Sequence, residues 1–195
     1  MELSLSGVIG LLRATLADPQ TTARQLIAMP LPMAARWQAL ILVVVLSVLL
    51  LQLALFIAGG VAAAGEGMVQ SALLQGGVLV VTVFAIHRIG RAFGGTGDLG
   101  GALILMAWLQ FVTLCFQAVQ IVTLLLVPPM ASIVAIVSVA VFLWLLVTFV
   151  QVLHGFRSRL MVMFGLVGSF FALAFALSFI LVLLGIPIPG GFDDL

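Results

Sequence analysis

The sequence predicts an all-α, polytopic membrane protein: a five-transmembrane-helix bundle preceded by amphipathic helices at the membrane interface. Three observations carry that prediction. Of the 195 residues, 65% are hydrophobic and only 7% charged, and the mean hydropathy is +1.43, against roughly 45–50% apolar content in a soluble domain. Five stretches supply the about 20 mostly apolar residues needed to cross some 30 Å of hydrocarbon. All basic residues are arginines, and they gather in alternate connections between those stretches.

The same composition excludes several function classes. The longest segment without a spanning pattern, residues 1–36, is too short to bury a core of its own. The single cysteine, Cys115, sits inside an apolar stretch and offers neither a disulfide nor a ligand cluster. A net charge of +1 with no basic run argues against nucleic acid as a partner. Exclusive use of arginine over lysine points to a GC-rich, bacterial source. The N-terminus does not read as a signal peptide, because Glu2 stands in place of a basic start and Ser4, Ser6 and Arg13 interrupt the apolar residues.

In chain order, residues 1–36 form a cytoplasmic or interfacial segment. Leu5, Val8, Ile9, Leu12 and Leu16 recur at the spacing of one helix face. Asp18 followed by Pro19 reads as the cap and first position of a second short helix running to about Met29. Both helices are too polar to span, and they either lie along the interface or form a solvated lead-in. Residues 37–185 hold the spans: Trp37 to Ala58, Val69 to Ile86, Leu99 to Val127, Met130 to Leu153, and Leu160 to Leu184. Residues 186–195 form a short exported tail.

Orientation follows from charge, since arginines are retained on the cytoplasmic side. Arg13, Arg24 and Arg36 precede the first span, Arg88 and Arg91 follow the second, and Arg157 and Arg159 follow the fourth. The intervening connections carry only Glu66 or no charge, and Asp193 and Asp194 follow the fifth. An odd number of spans with a cytoplasmic N-terminus and an exported C-terminus places every arginine on one side, and a bacterial inner membrane is the expected location.

The third span carries Gln110, Thr113, Gln117 and Gln120 on one side, with Phe111, Cys115, Ala118 and Val122 opposite. Amides facing lipid without partners cost several kcal/mol each, so the stripe is expected to face other helices. Ser71, Gln75 and Thr82 of the second span and Trp144, Thr148 and Gln151 of the fourth are the expected partners. Two roles fit such a network: a clamp that fixes helix register, or the lining of a path for a polar solute or lipid. In the fifth span Gly168, Ala172 and Ala176, with Gly165 and Ser169 beside them, provide the small-residue spacing that permits close helix approach. No Asp, Glu, Arg or His falls in the middle of a span, which argues against proton- or cation-coupled transport.

Enzymatic chemistry finds little to build on. "GTGDLG" matches G-x-G-x-x-G through Gly95, Gly97 and Gly100, but no strand precedes it and no βαβ unit surrounds it. It reads as a flexible turn in which Asp98 caps the third span. His87 and His154 each stand at the end of a span, followed by arginines in "HRIGR" and "HGFRSR". Two imidazoles are too few for a metal site, and no nucleophile, base and orienting acid can be assembled. No catalytic residue, cofactor or metal is therefore expected. His87, Arg88, Arg91, His154, Arg157 and Arg159 are instead candidate contacts for anionic headgroups on the cytoplasmic side.

"ARQLIAMPLPMAARWQALILVVVLSVLL", "IHRIGRAFGGTGDLGGALILMAWLQ" and "LHGFRSR" resemble the bacterial branch of the Yip domain family, the Ypt-interacting five-span membrane proteins. The resemblance extends over nearly the whole chain in layout and rests in detail on the glycine-rich turn and the "HGFRS" element. It implies five helices and a cytoplasmic N-terminus. Eukaryotic members bind Rab-type GTPases in vesicle traffic. This chain has no tyrosine, so their tyrosine-bearing signatures, and GTPase binding with them, are not carried over. The expectation is a non-enzymatic organiser of lipids or of membrane-protein partners, a second copy of the chain included. The alternative is a passive transporter or lipid conduit through Gln75, Gln110, Gln117 and Gln151.

Overall fold

Several helices begin where the sequence supplies a start signal. In the computed structural model, which describes residues 5–59 and 67–183, seven helices follow one another among the described residues: α1 (Leu5–Ala17), α2 (Pro19–Ala28), α3 (Met33–Gly59), α4 (Met68–Ala92), α5 (Leu99–Leu126), α6 (Pro128–His154) and α7 (Arg159–Leu183). Asp18 Oδ1 accepts the Thr21 N–H at 3.1 Å ahead of Pro19, which has no N–H to lose at the first helical position. Asp98 does the same for α5, accepting from Gly101 N at 3.0 Å. Between α5 and α6 a single residue, Val127, leaves the helical conformation ahead of the proline that follows it, with φ −145° and ψ 78°, and Pro128 and Pro129 open α6. At the far end of α6, Gly155 adopts φ +69° and the Phe156 N–H caps the Gln151 carbonyl at 3.0 Å.

α3, α4, α5 and α6 are long and apolar enough to cross a bilayer, and they match the first four expected spans to within a few residues, except that α4 runs on to Ala92. α7 is helical over 25 residues at the position of the fifth. Arg159–Ser169 counts as a shorter apolar helix, so four helices are candidate spans among the described residues. Glu2, Ser4, Glu66, Leu184 and residues 186–195, which contain Asp193 and Asp194, lie outside them.

The chain divides into two compact units, one ending at Arg157 and the other beginning at Ser158. In the first, α5 is the central helix, packed against α3, α4 and α6 and contacted by α2. Its start is the most enclosed part of the molecule: every residue from Gly100 to Ala107 is buried, as are Leu109 and Val112. Leu40 and Val48 of α3, Val83 of α4, and Leu145 and Phe149 of α6 complete this core. The outer faces are apolar and open, with Val69 and Leu73 of α4 and Ile136 of α6 each more than 70% exposed. An exposed belt of this kind on spanning-length helices is what lipid solvates. In the second unit, Ser169 Oγ returns to the Gly165 carbonyl of its own helix, and Gly168 and Ala172 are exposed; the Ala176 side chain lies outside the described residues.

α1 and α2 form where expected. Ile9 and Leu16 of the apolar face of α1 are 44% and 40% exposed, whereas Thr15 is fully buried against the bundle. The reason is a polar anchor: Thr15 Oγ1 accepts the Trp108 indole N–H of α5 at 2.9 Å while its own hydroxyl turns back to the Leu11 carbonyl at 2.7 Å. α2 is seated against the bundle through Pro19, Thr22, Ala23 and Leu26.

Candidate functional site

The end of the first unit where α4 passes into α5 and α6 terminates carries Arg36, Arg88, Arg91 and Arg157. These side chains divide into two groups. Arg88, Arg91 and Arg157 are exposed. Arg36 is half-buried and folds back over the "PLP" turn between α2 and α3, its Nε donating to the Leu31 carbonyl at 3.2 Å and Nη2 to Met29 at 3.3 Å. Its guanidinium also lies against Gly100, where a Cβ would come within 2.5 Å of Nη1 and 3.1 Å of Asp98 Oδ2. Arg36 is therefore committed to joining the N-terminal segment to α5. Arg159 opens α7 in the second unit and is exposed.

His154 departs from the expected headgroup role. It is 3% exposed and both ring nitrogens are used inside the chain. Nδ1 accepts the Gly97 N–H at 3.3 Å, and Nε2 lies 3.1 Å from the Ile86 carbonyl. Because an amide can only donate and a carbonyl only accept, the neutral Nε2–H tautomer satisfies both bonds at once. The His154 carbonyl in turn accepts from Thr96 N at 3.3 Å. Gly90, Gly95 and Gly97 surround the ring so closely that a Cβ on any of them would collide with it. Phe156 stacks on the ring at 5.5 Å between centroids. The "GGTG" turn is thus a fitted cradle that ties α4, α5 and α6 together, rather than the flexible turn expected, although Asp98 does cap α5 as expected. His87 is half-buried, with its Nδ1 enclosed and unpartnered.

The polar stripe of α5 faces inward, and it meets a partner on α3 besides those expected on α4 and α6. Gln110 Nε2 donates to Ser47 Oγ of α3 at 3.2 Å, and Ser47 is fully buried. Thr82, Thr113 and Thr148 each bond the carbonyl four residues earlier in their own helix: Val78, Leu109 and Trp144. Gln120 contributes its backbone carbonyl to Thr123. The Gln117 Oε1 is buried without a partner. Ser71 and Gln75 on α4 and Gln151 on α6 are half-buried. The stripe thus makes an α3–α5 pair through Gln110 and Ser47, and the Thr82, Thr113 and Thr148 hydroxyls are satisfied within their own helices. Ser47 was not singled out by sequence, because one serine in a long apolar run carries no periodicity. The core cavity bordered by Ile86, Ala102, Met106 and Phe149 holds about 10 Å³ and has an apolar lining, which offers a water no partners.

The family model for the Yip1 domain matches residues 13–188. The chain belongs to the Yip1 domain family. It is accordingly a multi-pass integral membrane protein, as the four spanning helices and their apolar outer faces also require. No curated protein matches the sequence, and no solved structure does. The Yip1 match takes in Arg13, the whole His154 cradle and all four spanning helices of the first unit.

Proposed function

We propose that this Yip1-domain protein is a non-enzymatic organiser of the membrane, of the bacterial branch of its family, that gathers anionic lipid headgroups and membrane-protein partners at its arginine-bearing end. The observation that carries this reading is the separation of the arginines. Arg36 is consumed in holding the fold, whereas Arg88, Arg91 and Arg157 of the first unit are exposed. Guanidinium groups at the ends of membrane helices attract anionic headgroups by about 1 kcal/mol each. α7 serves as the fifth span, the N-terminus faces the cytoplasm and residues 186–195 lie on the exported side of the inner membrane. A conduit gains less support, because the enclosed start of α5 has apolar side chains and the small cavity beside it is apolar.

The test is co-sedimentation with vesicles of phosphatidylglycerol and phosphatidylcholine. Changing Arg88, Arg91, Arg157 and Arg159 together to Gln is expected to weaken the preference for the anionic vesicle. Unchanged preference refutes the headgroup assignment. A reporter joined after Leu195 that is active only in the cytosol refutes the orientation.

A further inference from the structure

Between α2 and the end of α6 the first unit carries an open groove of about 500 Å³, within the range of small-ligand sites. Gln20, Arg24, Ile27 and Ala28 line it from α2, at the spacing of a single helix stripe. The adjoining stripe of Pro19, Thr22, Ala23 and Leu26 is buried. Groove and docking face are thus two sides of one short helix. Opposite stand Gln151, Val152 and Phe156 of α6 and the turn after it. Gly101 marks the meeting point of α2, α5 and α6: a Cβ there would lie 2.7 Å from Leu153 Cδ1 and 3.7 Å from Ile27 Cγ1.

We propose that this groove is a discrete site for one anionic phospholipid, with its phosphate on Arg24. The inference deepens the membrane-organiser reading and rests on it for the lipid's presence at this end of the molecule. The lining fits the chemistry of that occupant. An exposed guanidinium provides the planar donor set that phosphate takes bidentately. Gln20 brings an amide suited to headgroup hydroxyls and ester oxygens. Ile27, Val152 and Phe156 give an apolar wall for the glycerol backbone and first methylenes. The α6 terminus that borders the groove has its Gln151 carbonyl capped by Phe156 N–H, which removes part of the negative charge a helix end would present to an anion. Phe156 also stacks on His154, so the wall of the groove is fixed by the glycine cradle.

The test uses the purified full chain in neutral detergent, titrated with short-chain phosphatidylglycerol and followed by native mass spectrometry. Glycerol 3-phosphate is the soluble comparator. The wild type is expected to saturate at one lipid and to bind it more tightly than glycerol 3-phosphate. Arg24→Gln removes the phosphate contact. Ala28→Phe fills the groove from an exposed position. Both are expected to weaken the lipid about tenfold or more, with circular dichroism unchanged. Arg13→Gln, an equal loss of charge on α1, is expected to leave affinity at the wild-type value. Wild-type affinity in either groove variant overturns the proposal, and so does an equal loss in Arg13→Gln. Equal affinity for glycerol 3-phosphate overturns it in favour of a soluble phosphorylated ligand. Any of these results alongside a normal anionic-vesicle preference leaves the organiser reading standing, whereas loss of that preference as well removes both.

Discussion

The His154 imidazole accepts the Gly97 N–H at 3.3 Å across 57 residues of chain, joining the end of α6 to the loop that opens α5. Gly90 lies against the other ring nitrogen, so the cradle has no room for a methyl group. Gly90→Ala should therefore destabilise the protein by about 1 to 3 kcal/mol or more, the cost of overpacking a filled core. Gly77 sits in the same helix with nothing within 4 Å of a built Cβ. Gly77→Ala should be neutral or stabilising by about 0.5 to 1 kcal/mol, from helix propensity alone. Denaturation in mixed micelles checks the pair, and similar effects at both positions contradict the cradle.

Replacing the imidazole itself separates packing from hydrogen bonding. His154→Leu leaves the Gly97 N–H orphaned in a buried site, a loss of about 1 to 3 kcal/mol before any change in packing. His154→Asn can keep an acceptor near the position of Nδ1 and should retain part of the stability. The expected order is wild type, then Asn, then Leu, read from unfolding midpoints. Leu equal to wild type shows that the hydrogen bonds contribute nothing.

Much of the fold was legible because lipid enforces simple rules. Apolar runs of spanning length gave α3 to α6 to within a few residues apart from the end of α4, and Asp18 and Asp98 marked helix starts because a capping carboxylate has a local partner three residues on. The candidate site was less legible. His154 and Arg36 look like neighbours of headgroups along the chain, and only the approach of Gly90, Gly97 and Gly100 from elsewhere turns them inward. A glycine that admits a ring from another helix is indistinguishable in sequence from one that loosens a turn. Thr15 was hidden for a related reason: the stripe of Leu5, Ile9 and Leu16 gave an apolar face, while the side that docks is chosen by an indole 93 residues away.

Thr15 offers a direct measure of how α1 is held. Thr15→Val keeps the shape but leaves the buried Trp108 N–H without its acceptor, which should cost about 1 to 3 kcal/mol. The loss should be local, seen as faster amide exchange in α1 with the core of α5 unchanged. Thr15→Ser keeps the hydroxyl and should exchange like wild type. Equal protection of α1 in the Val variant refutes the anchor.

Asp18 gives the N-terminal segment a pH dependence. Hydrogen bonds from Thr21, side chain before backbone, hold its carboxyl below the usual range. A folded-state value below the unfolded one means that the cap contributes at pH above the unfolded value and is lost as pH falls through the folded one. Protease nicking near the α1–α2 junction should rise in acid below about pH 4. Asp18→Asn, which retains a capping oxygen without titrating, should flatten that response. A wild-type response in the Asn variant assigns the acid sensitivity elsewhere.

The two central glutamines of α5 should behave oppositely. Gln110 bonds Ser47, so a double-mutant cycle with Gln110→Leu and Ser47→Ala should return a coupling of about 0.6 to 2 kcal/mol, the usual worth of such a pair in a membrane. Gln117 has a buried carbonyl oxygen with no partner, so Gln117→Leu removes an unpaid desolvation and should be neutral or stabilising. Flux assays in reconstituted vesicles extend the comparison. If Gln110→Leu and Gln117→Leu together abolish a solute flux that the wild type supports, the amides line a path and the α3–α5 pair is part of its wall. Coupling at Gln110 with no flux in either protein makes the stripe a packing device, the outcome expected from a bundle closed at the start of α5.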